Sequence, residues 1–202
     1  MHLKITNTNK NHKYEQAMNG FQNLVIHRRS YRKYTTEPVS PEQIHTLLET
    51  ALMSPAGKRK NPWHFVVVED KDMLKALSEA KSQGAAPLAE AALAIVVCAD
   101  PKESDTWVED CSIASLQIML QAQDLGLGSV WIHMRNRTDE AGNNASDNVK
   151  KLLDIPADYE VLSVISIGHP GEERKPYDTA KLQWEKVHYG KFAADTDQSE
   201  SK

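Results

Sequence analysis

Leu93-Ala94-Ile95-Val96-Val97-Cys98-Ala99 is a run of seven apolar residues with no polar alternation. A strand with one face in water alternates polar and apolar side chains, so a continuous run predicts a strand covered on both faces, with helices above and below its sheet. Outward from it, residues 63–68 read as a second strand, 71–81 as an amphipathic helix, and 129–133 and 161–167 as further strands. Residues 107–125 are the longest helical pattern. Their apolar and small residues, including Val108, Cys111, Ile113, Ala114, Leu116 and Met119, fall on more than one face, which predicts burial nearly all round. Helices alternating with a few strands give an α+β layout around a central sheet.

Punctuation fixes several boundaries. Ser40-Pro41-Glu42-Gln43 is a helix start with proline at N1 and a capping-box glutamine, and Ile44, Leu47, Leu48 and Leu52 then share a face. Gly126 stops the long helix. Residues 134–148 are polar and too long for a simple connection, which leaves a functional lid or a disordered linker, and 149–153 read as a short helix. A single domain over 14–192 is expected between mobile polar tails, 1–13 and 193–202, with 177–191 as a C-terminal extension.

Composition excludes several classes. A formal charge of −4 and a pI near 6.1 argue against a dedicated nucleic-acid binder. The N-terminus lacks an apolar signal core, and no apolar run approaches the ~20 residues that span a bilayer, so no membrane association and a cytoplasmic location are expected. Cys98 and Cys111 read as small buried hydrophobes, and no Cys/His spacing suggests a metal.

Chemistry concentrates in two basic stretches of this mildly acidic chain. Arg28-Arg29-Ser30-Tyr31-Arg32-Lys33 puts a hydroxyl and four cations into six residues, directly after a helical pattern that includes Met18, Phe21, Leu24 and Val25. Guanidinium forks and a serine hydroxyl suit a phosphomonoester, while the rival reading is a solvated basic turn or a nucleic-acid patch. A helix C-terminus carries partial negative charge, so the arginines themselves must hold any anion there. The second stretch, Ser54-Pro55-Ala56-Gly57-Lys58-Arg59-Lys60-Asn61-Pro62-Trp63, is an irregular loop whose backbone can approach a flat ligand.

The Arg-Arg-Ser-x-Arg run, the Ser-Pro to Asn-Pro-Trp loop, Gly126-Leu127-Gly128-Ser129-Val130-Trp131 and Gly168-His169-Pro170 occur in an order and rough spacing that resemble the FMN-dependent nitroreductase family over residues 28–175. The resemblance implies a mixed central sheet flanked by helices. It also implies a homodimer with a long helix at its centre, two FMN sites at the subunit interface and a C-terminal arm around the partner. On the same basis Arg28, Ser30 and Arg32 contact the FMN phosphate and ribityl end, with Arg29 close by. Pro55, Ala56 and Gly57 line one flavin face, Asn61 supplies an amide, and Ser129, Val130 and Trp131 run beside the ring. Gly168 turns the chain after the last strand, and Arg174 or Lys175 completes the clamp. The chain departs from the family at Arg59, which stands where common members carry asparagine and reads as a donor to the flavin C2 carbonyl. Trp63 reads as core.

The function implied is an oxidoreductase in which NAD(P)H reduces FMN and the reduced flavin serves a nitroaromatic, quinone or similar small-molecule acceptor, by ping-pong kinetics and without a protein acid, base or nucleophile. The alternatives are a dedicated reductive dehalogenase or enone reductase with a lid in 134–148, and a flavin-binding redox protein without turnover. Arg135 and Arg137 read either as receptors for a 2′-phosphate or as solvated loop residues.

Overall fold

The computed structural model describes residues 20–192. The expectations for the two tails, and for Met18 as part of the first helix, lie outside those residues. Four strands form one sheet in the order β1-β2-β4-β3: β1 (Trp63–Val68), β2 (Leu93–Ala99), β3 (Gly128–His133) and β4 (Glu160–Gly168). All three pairings are antiparallel, and the parallel element of the sheet is a single bridge from Ser30 to Ser129. Among the described residues six α-helices flank it: α1 (Phe21–His27), α2 (Pro41–Leu52), α3 (Lys71–Ser78), α4 (Pro87–Glu90), α5 (Trp107–Asp124) and α6 (Ala145–Leu153).

β2 behaves as its composition requires. Every residue in it is buried, and alternate side chains enter opposite cores. Leu93, Ile95, Val97 and Ala99 pack with α2 and α5, while Ala94, Val96 and Cys98 pack with α3 and α6. Fully burying one such aliphatic side chain is worth about 1.5–3 kcal/mol, so a strand with no polar face is stable only as the middle of three layers. Trp63 joins the first core, stacked on Phe65 with ring centroids 5.4 Å apart.

Caps explain the helix starts. The Ser40 hydroxyl accepts from the Gln43 N–H and the Gln43 side chain accepts from the Ser40 N–H, as the capping box predicts. Three boundaries differ from the sequence expectation. The 71–81 helix ends at Ser78, and the short helix α4 was not expected. The helix expected at 149–153 starts at Ala145, because the Asn144 side chain accepts from the N–H groups of Ser146 and Asp147.

The segment before α6 is a compact hydrogen-bonded turn and not a disordered linker. Ala145 N–H donates to the Arg137 carbonyl at 2.8 Å, and a bridge joins Thr138 to Asn144. The Asp139 carboxylate accepts from the N–H groups of Ala141 and Asn143 and from the side chains of Asn143 and Asn148. These bonds, led by that from the Asn143 side chain, hold its pKa below the usual value.

α5 also departs from the expectation of burial all round. Its inward residues Cys111, Ala114, Ile118 and Met119 are in the core, but Ile113 and Leu116 point outward and are 39% and 47% exposed. Phe21 of α1 is 68% exposed and Met53, just after α2, 72%, and both line a groove with Gln117 and Leu120 of α5. Periodicity counts apolar side chains and cannot tell which face meets the chain's own core, so an uncovered apolar stripe looked like a buried one.

Candidate cofactor-binding site

The expected site residues fall into two built regions. In the first, residues 28–35 form a strip against the start of β3 and the end of β4. Tyr31 N–H donates to the Ser129 carbonyl at 3.0 Å and Thr35 N–H to the His169 carbonyl at 2.9 Å. The chain after β4 closes over the strip. Gly171 N–H donates to the Lys33 carbonyl at 2.9 Å, Tyr177 N–H to the Ile26 carbonyl at 2.9 Å, and Arg32 N–H to Glu172 Oε1 at 2.8 Å.

Two glycines make this close approach possible. A Cβ on Gly128 would lie 2.8 Å from the Tyr31 side chain and one on Gly168 2.9 Å from the Tyr34 ring, so each must be bare. Gly168 therefore has a packing role toward Tyr34. The Tyr34 hydroxyl lies 3.0 Å from the Tyr31 carbonyl oxygen and 3.1 Å from that of Ser166, and accepts from the Ser166 hydroxyl at 3.0 Å. Burial pushes its pKa well up, opposed by the Ser166 hydrogen bond, so it remains a protonated pin.

The strip divides its cations between structure and vacancy of partners. Arg29 is committed: its guanidinium lies 4.5 Å over the Tyr177 ring and donates to the Lys175 carbonyl. Arg28 makes one long bond, 3.4 Å, to the Tyr177 hydroxyl. Arg32 reaches only the Ser30 carbonyl, at 3.4 Å, and the Ser30 hydroxyl has no protein partner among the described residues. Arg174 faces Glu172 at 3.9 Å, while Lys175 contributes its carbonyl and keeps an exposed side chain. Glu172 is held below the ordinary carboxylate range, first by the Arg32 N–H and further by Arg174. Arg28, Ser30 and Arg32 thus retain donors for an anion, and Arg174 offsets the one carboxylate nearby. The strip fits a phosphomonoester.

The second region is the loop after α2. The Ser54 hydroxyl donates to Gln117 Oε1 at 2.8 Å and Gly57 N–H to Asp110 Oδ1 at 2.9 Å, so two turns of α5 hold the loop. The buried Asp110 also accepts from Thr106 Oγ1 at 3.1 Å and Ser104 Oγ at 3.3 Å. A Cβ on Gly57 would collide with Thr106 Oγ1. Lys58, Arg59 and Asn61 have φ of 52°, 56° and 48°, a left-handed backbone that costs a non-glycine residue free energy and persists where surroundings over-determine it. Pro55, Arg59 and Asn61 are exposed, and Ala56 and Gly57 half-buried.

No hydrogen bond among the described residues joins strip and loop: the loop is tied to Asp110 and Gln117 of α5, and the strip docks on Ser129 after that helix. β3 is an edge strand, and its outer edge is taken at Ser129 alone by the strip. Val130 is buried, while the half-buried Trp131 ring stacks on His133 at 6.3 Å and donates from Nε1 to His133 Nδ1 at 3.4 Å. Asp110, Tyr34, Glu172 and Tyr177 were not expected from sequence. Only Asp110 had a signal, a carboxylate in the first turn of a helix, and that usually marks a solvated end.

Comparison with known proteins agrees with this architecture. The profile of the Nitroreductase family matches residues 25–105 and 81–169. A protein of Archaeoglobus fulgidus, named as a candidate NADH dehydrogenase/NAD(P)H nitroreductase, is 39% identical over 174 residues, covering 84% of this chain and 97% of its own. One of Methanothermobacter thermautotrophicus with the same name is 37% identical, covering 79% of this chain and 83% of its own. The solved structure of an FMN-dependent nitroreductase from Clostridium difficile superposes with a TM-score of 0.84 at 40% identity, over 85% of this chain and all of that one. The chain belongs to the nitroreductase family.

Proposed function

We propose that the chain is an FMN-dependent oxidoreductase that uses NAD(P)H to reduce nitroaromatic, quinone or similar acceptors, acting as a cytoplasmic homodimer. The observation that carries the reading is the strip at the open edge of β3, where Arg28, Ser30 and Arg32 keep unspent donors while Arg29 and Tyr34 pin the backbone beneath them. When bound, FMN accepts hydride from NAD(P)H and delivers it to the acceptor in two alternating half-reactions.

The chain's own residues hold and orient. Arg28, Ser30 and Arg32 take the phosphate, and Arg174 balances Glu172. The Pro55–Gly57 backbone, rigidly tied to Asp110, offers a flat wall without long side chains, and the exposed Arg59 and Asn61 bring a cation and an amide to its rim. Strip and loop share no hydrogen bond among the described residues, and on this reading a second copy brings its loop to the strip. The uncovered apolar residues Phe21, Met53, Ile113 and Leu116 supply the face for that copy. No helix among the described residues is long and apolar enough to cross a membrane. A dedicated reductive dehalogenase of the same fold is the second reading, favoured by similarity to iodotyrosine deiodinases, among them one of Nematostella vectensis at 23% identity.

Titration of apo protein with FMN and with riboflavin tests the assignment. Arg32→Ala removes charge-assisted bonds worth roughly 1.5–3 kcal/mol, a loss of ~10- to 150-fold in FMN affinity, and leaves riboflavin, which has no phosphate, unchanged. Equal losses for both flavins overturn the phosphate assignment.

A further inference from the structure

A second cationic centre lies at the far end of β3 from the strip. Lys81, Ser82 and Gln83 on one side and Asn136, Arg137 and Thr138 on the other enclose a surface cavity of about 350 Å³. Its walls are fixed by the backbone. Ser82 N–H donates to the Thr138 carbonyl at 3.0 Å, Arg137 N–H to the Met134 carbonyl at 3.1 Å, and the Asn148 side chain to the Ala80 carbonyl at 3.1 Å. Asn136, at the rim, has a left-handed backbone with φ of 54°.

The lining holds two cations, four hydroxyl or amide side chains and no carboxylate. Lys81 Nζ spends one bond on the His133 carbonyl, at 2.9 Å, and Arg137 Nη1 one on the Asn136 carbonyl, also at 2.9 Å, which leaves two ammonium protons and most of the guanidinium fork unused. Among the described residues, neither cation has a carboxylate within 4.0 Å. Glu79, Asp139 and Glu140 line an adjoining depression that Lys81 and Ser82 also border, and Asp139 there is already bonded to four donors. Burial and then Arg137 lower the Lys81 pKa; burial, Arg137, Lys81 and Arg135 lower that of His133. Two cations that share a cavity and have no direct ion pair repel each other, and a bound anion relieves the repulsion.

We propose that this cavity binds a phosphomonoester dianion, gripped by the Arg137 fork and the Lys81 ammonium with hydroxyl and amide donors from Ser82, Gln83, Asn136 and Thr138. The group is either a small free phosphate or the phosphate of a nucleotide, and the site stands independently of the flavin assignment because it shares no residue with the strip.

The test is calorimetric titration of FMN-loaded protein with inorganic phosphate and with adenosine 2′-phosphate, in wild type and in the Arg137→Ala, Lys81→Met and Lys102→Ala variants. Arg137 is exposed, so its removal leaves the fold intact and makes that variant decisive, and the exposed Lys102 lies outside both sites and serves as the control. Weakening of about tenfold or more in Arg137→Ala and Lys81→Met, with Lys102→Ala unchanged, supports the site. Tighter binding of adenosine 2′-phosphate than of phosphate assigns it to a nucleotide; equal affinity assigns it to the free anion. Phosphate affinity that is unchanged in Arg137→Ala, or that falls as much in Lys102→Ala, overturns the proposal.

Discussion

Replacing Asp110 by alanine isolates the contact that fixes the loop after α2. The carboxylate is 3% exposed and accepts from Gly57 N–H, Thr106 Oγ1 and Ser104 Oγ. The two hydroxyls lie 3.0 Å apart and can bond each other once the acid is gone, so they lose little. Gly57 N–H has no such substitute among the protein groups, and since Gly57 is half-buried its lone donor costs toward the lower end of about 1–3 kcal/mol, to which a small cavity at the buried Asp110 adds. A net loss of about 2–3 kcal/mol is expected, a fall in Tm of roughly 4–12 °C for a domain of this size. Asp110→Asn keeps an oxygen for Gly57 and should cost under about 1 kcal/mol. Urea unfolding followed by circular dichroism gives both values, and FMN titration shows whether the loosened loop weakens the cofactor. A loss below about 0.5 kcal/mol in the alanine variant, or equal losses in the alanine and asparagine variants, refutes the reasoning, since hydrogen-bond acceptance by this one oxygen would then not matter.

Three further outcomes follow from burial and charge. Leu116→Glu should give a folded monomer in sedimentation, because Leu116 is half exposed on α5, whereas Met119→Glu puts a charge into a core position 7% exposed and should unfold the chain, read by circular dichroism. Glu172 has a depressed pKa, so its hold on Arg32 N–H is complete above the ordinary carboxylate range and is lost as pH falls through the lower folded value; amide exchange at Arg32 should quicken in that acid window, and Glu172→Gln should remove the pH dependence. Burial pushes the Cys98 thiol up to about 11 and that of Cys111 up to about 12, so both should resist alkylation in folded protein at mildly alkaline pH and react fully in denaturant.

What could be read from sequence was whatever a local pattern determines. β2 declared itself because seven apolar residues admit one environment, and α2 because Ser40 and Gln43 cap reciprocally within four residues. The cationic strip was legible as composition, but the split between Arg29, spent on Tyr177 and Lys175, and the less committed Arg28 and Arg32 was not, since the partners lie more than 140 residues on. Comparable separations, 140 residues from Arg32 to Glu172 and 132 from Tyr34 to Ser166, hid Glu172 and Tyr34. The outward stripe of α5 was misread because a residue's exposure depends on what the rest of the chain covers. Asn144 was readable in principle as a cap, two residues ahead of Ser146 and three ahead of Asp147, but it stands in a segment whose polarity resembles that of a loop.

The long reach of the strip's contacts sets an order of events during synthesis. Tyr34 meets Ser166 across 132 residues, Arg32 meets Glu172 across 140 and Arg29 meets Lys175 across 146. A nascent chain that has just delivered Gly168 contains all four strands, yet lacks the residues that close over 28–35. The anion strip is therefore among the last parts of the molecule to assemble, and a ribosome-bound chain can complete its sheet before it gains a finished grip on phosphate.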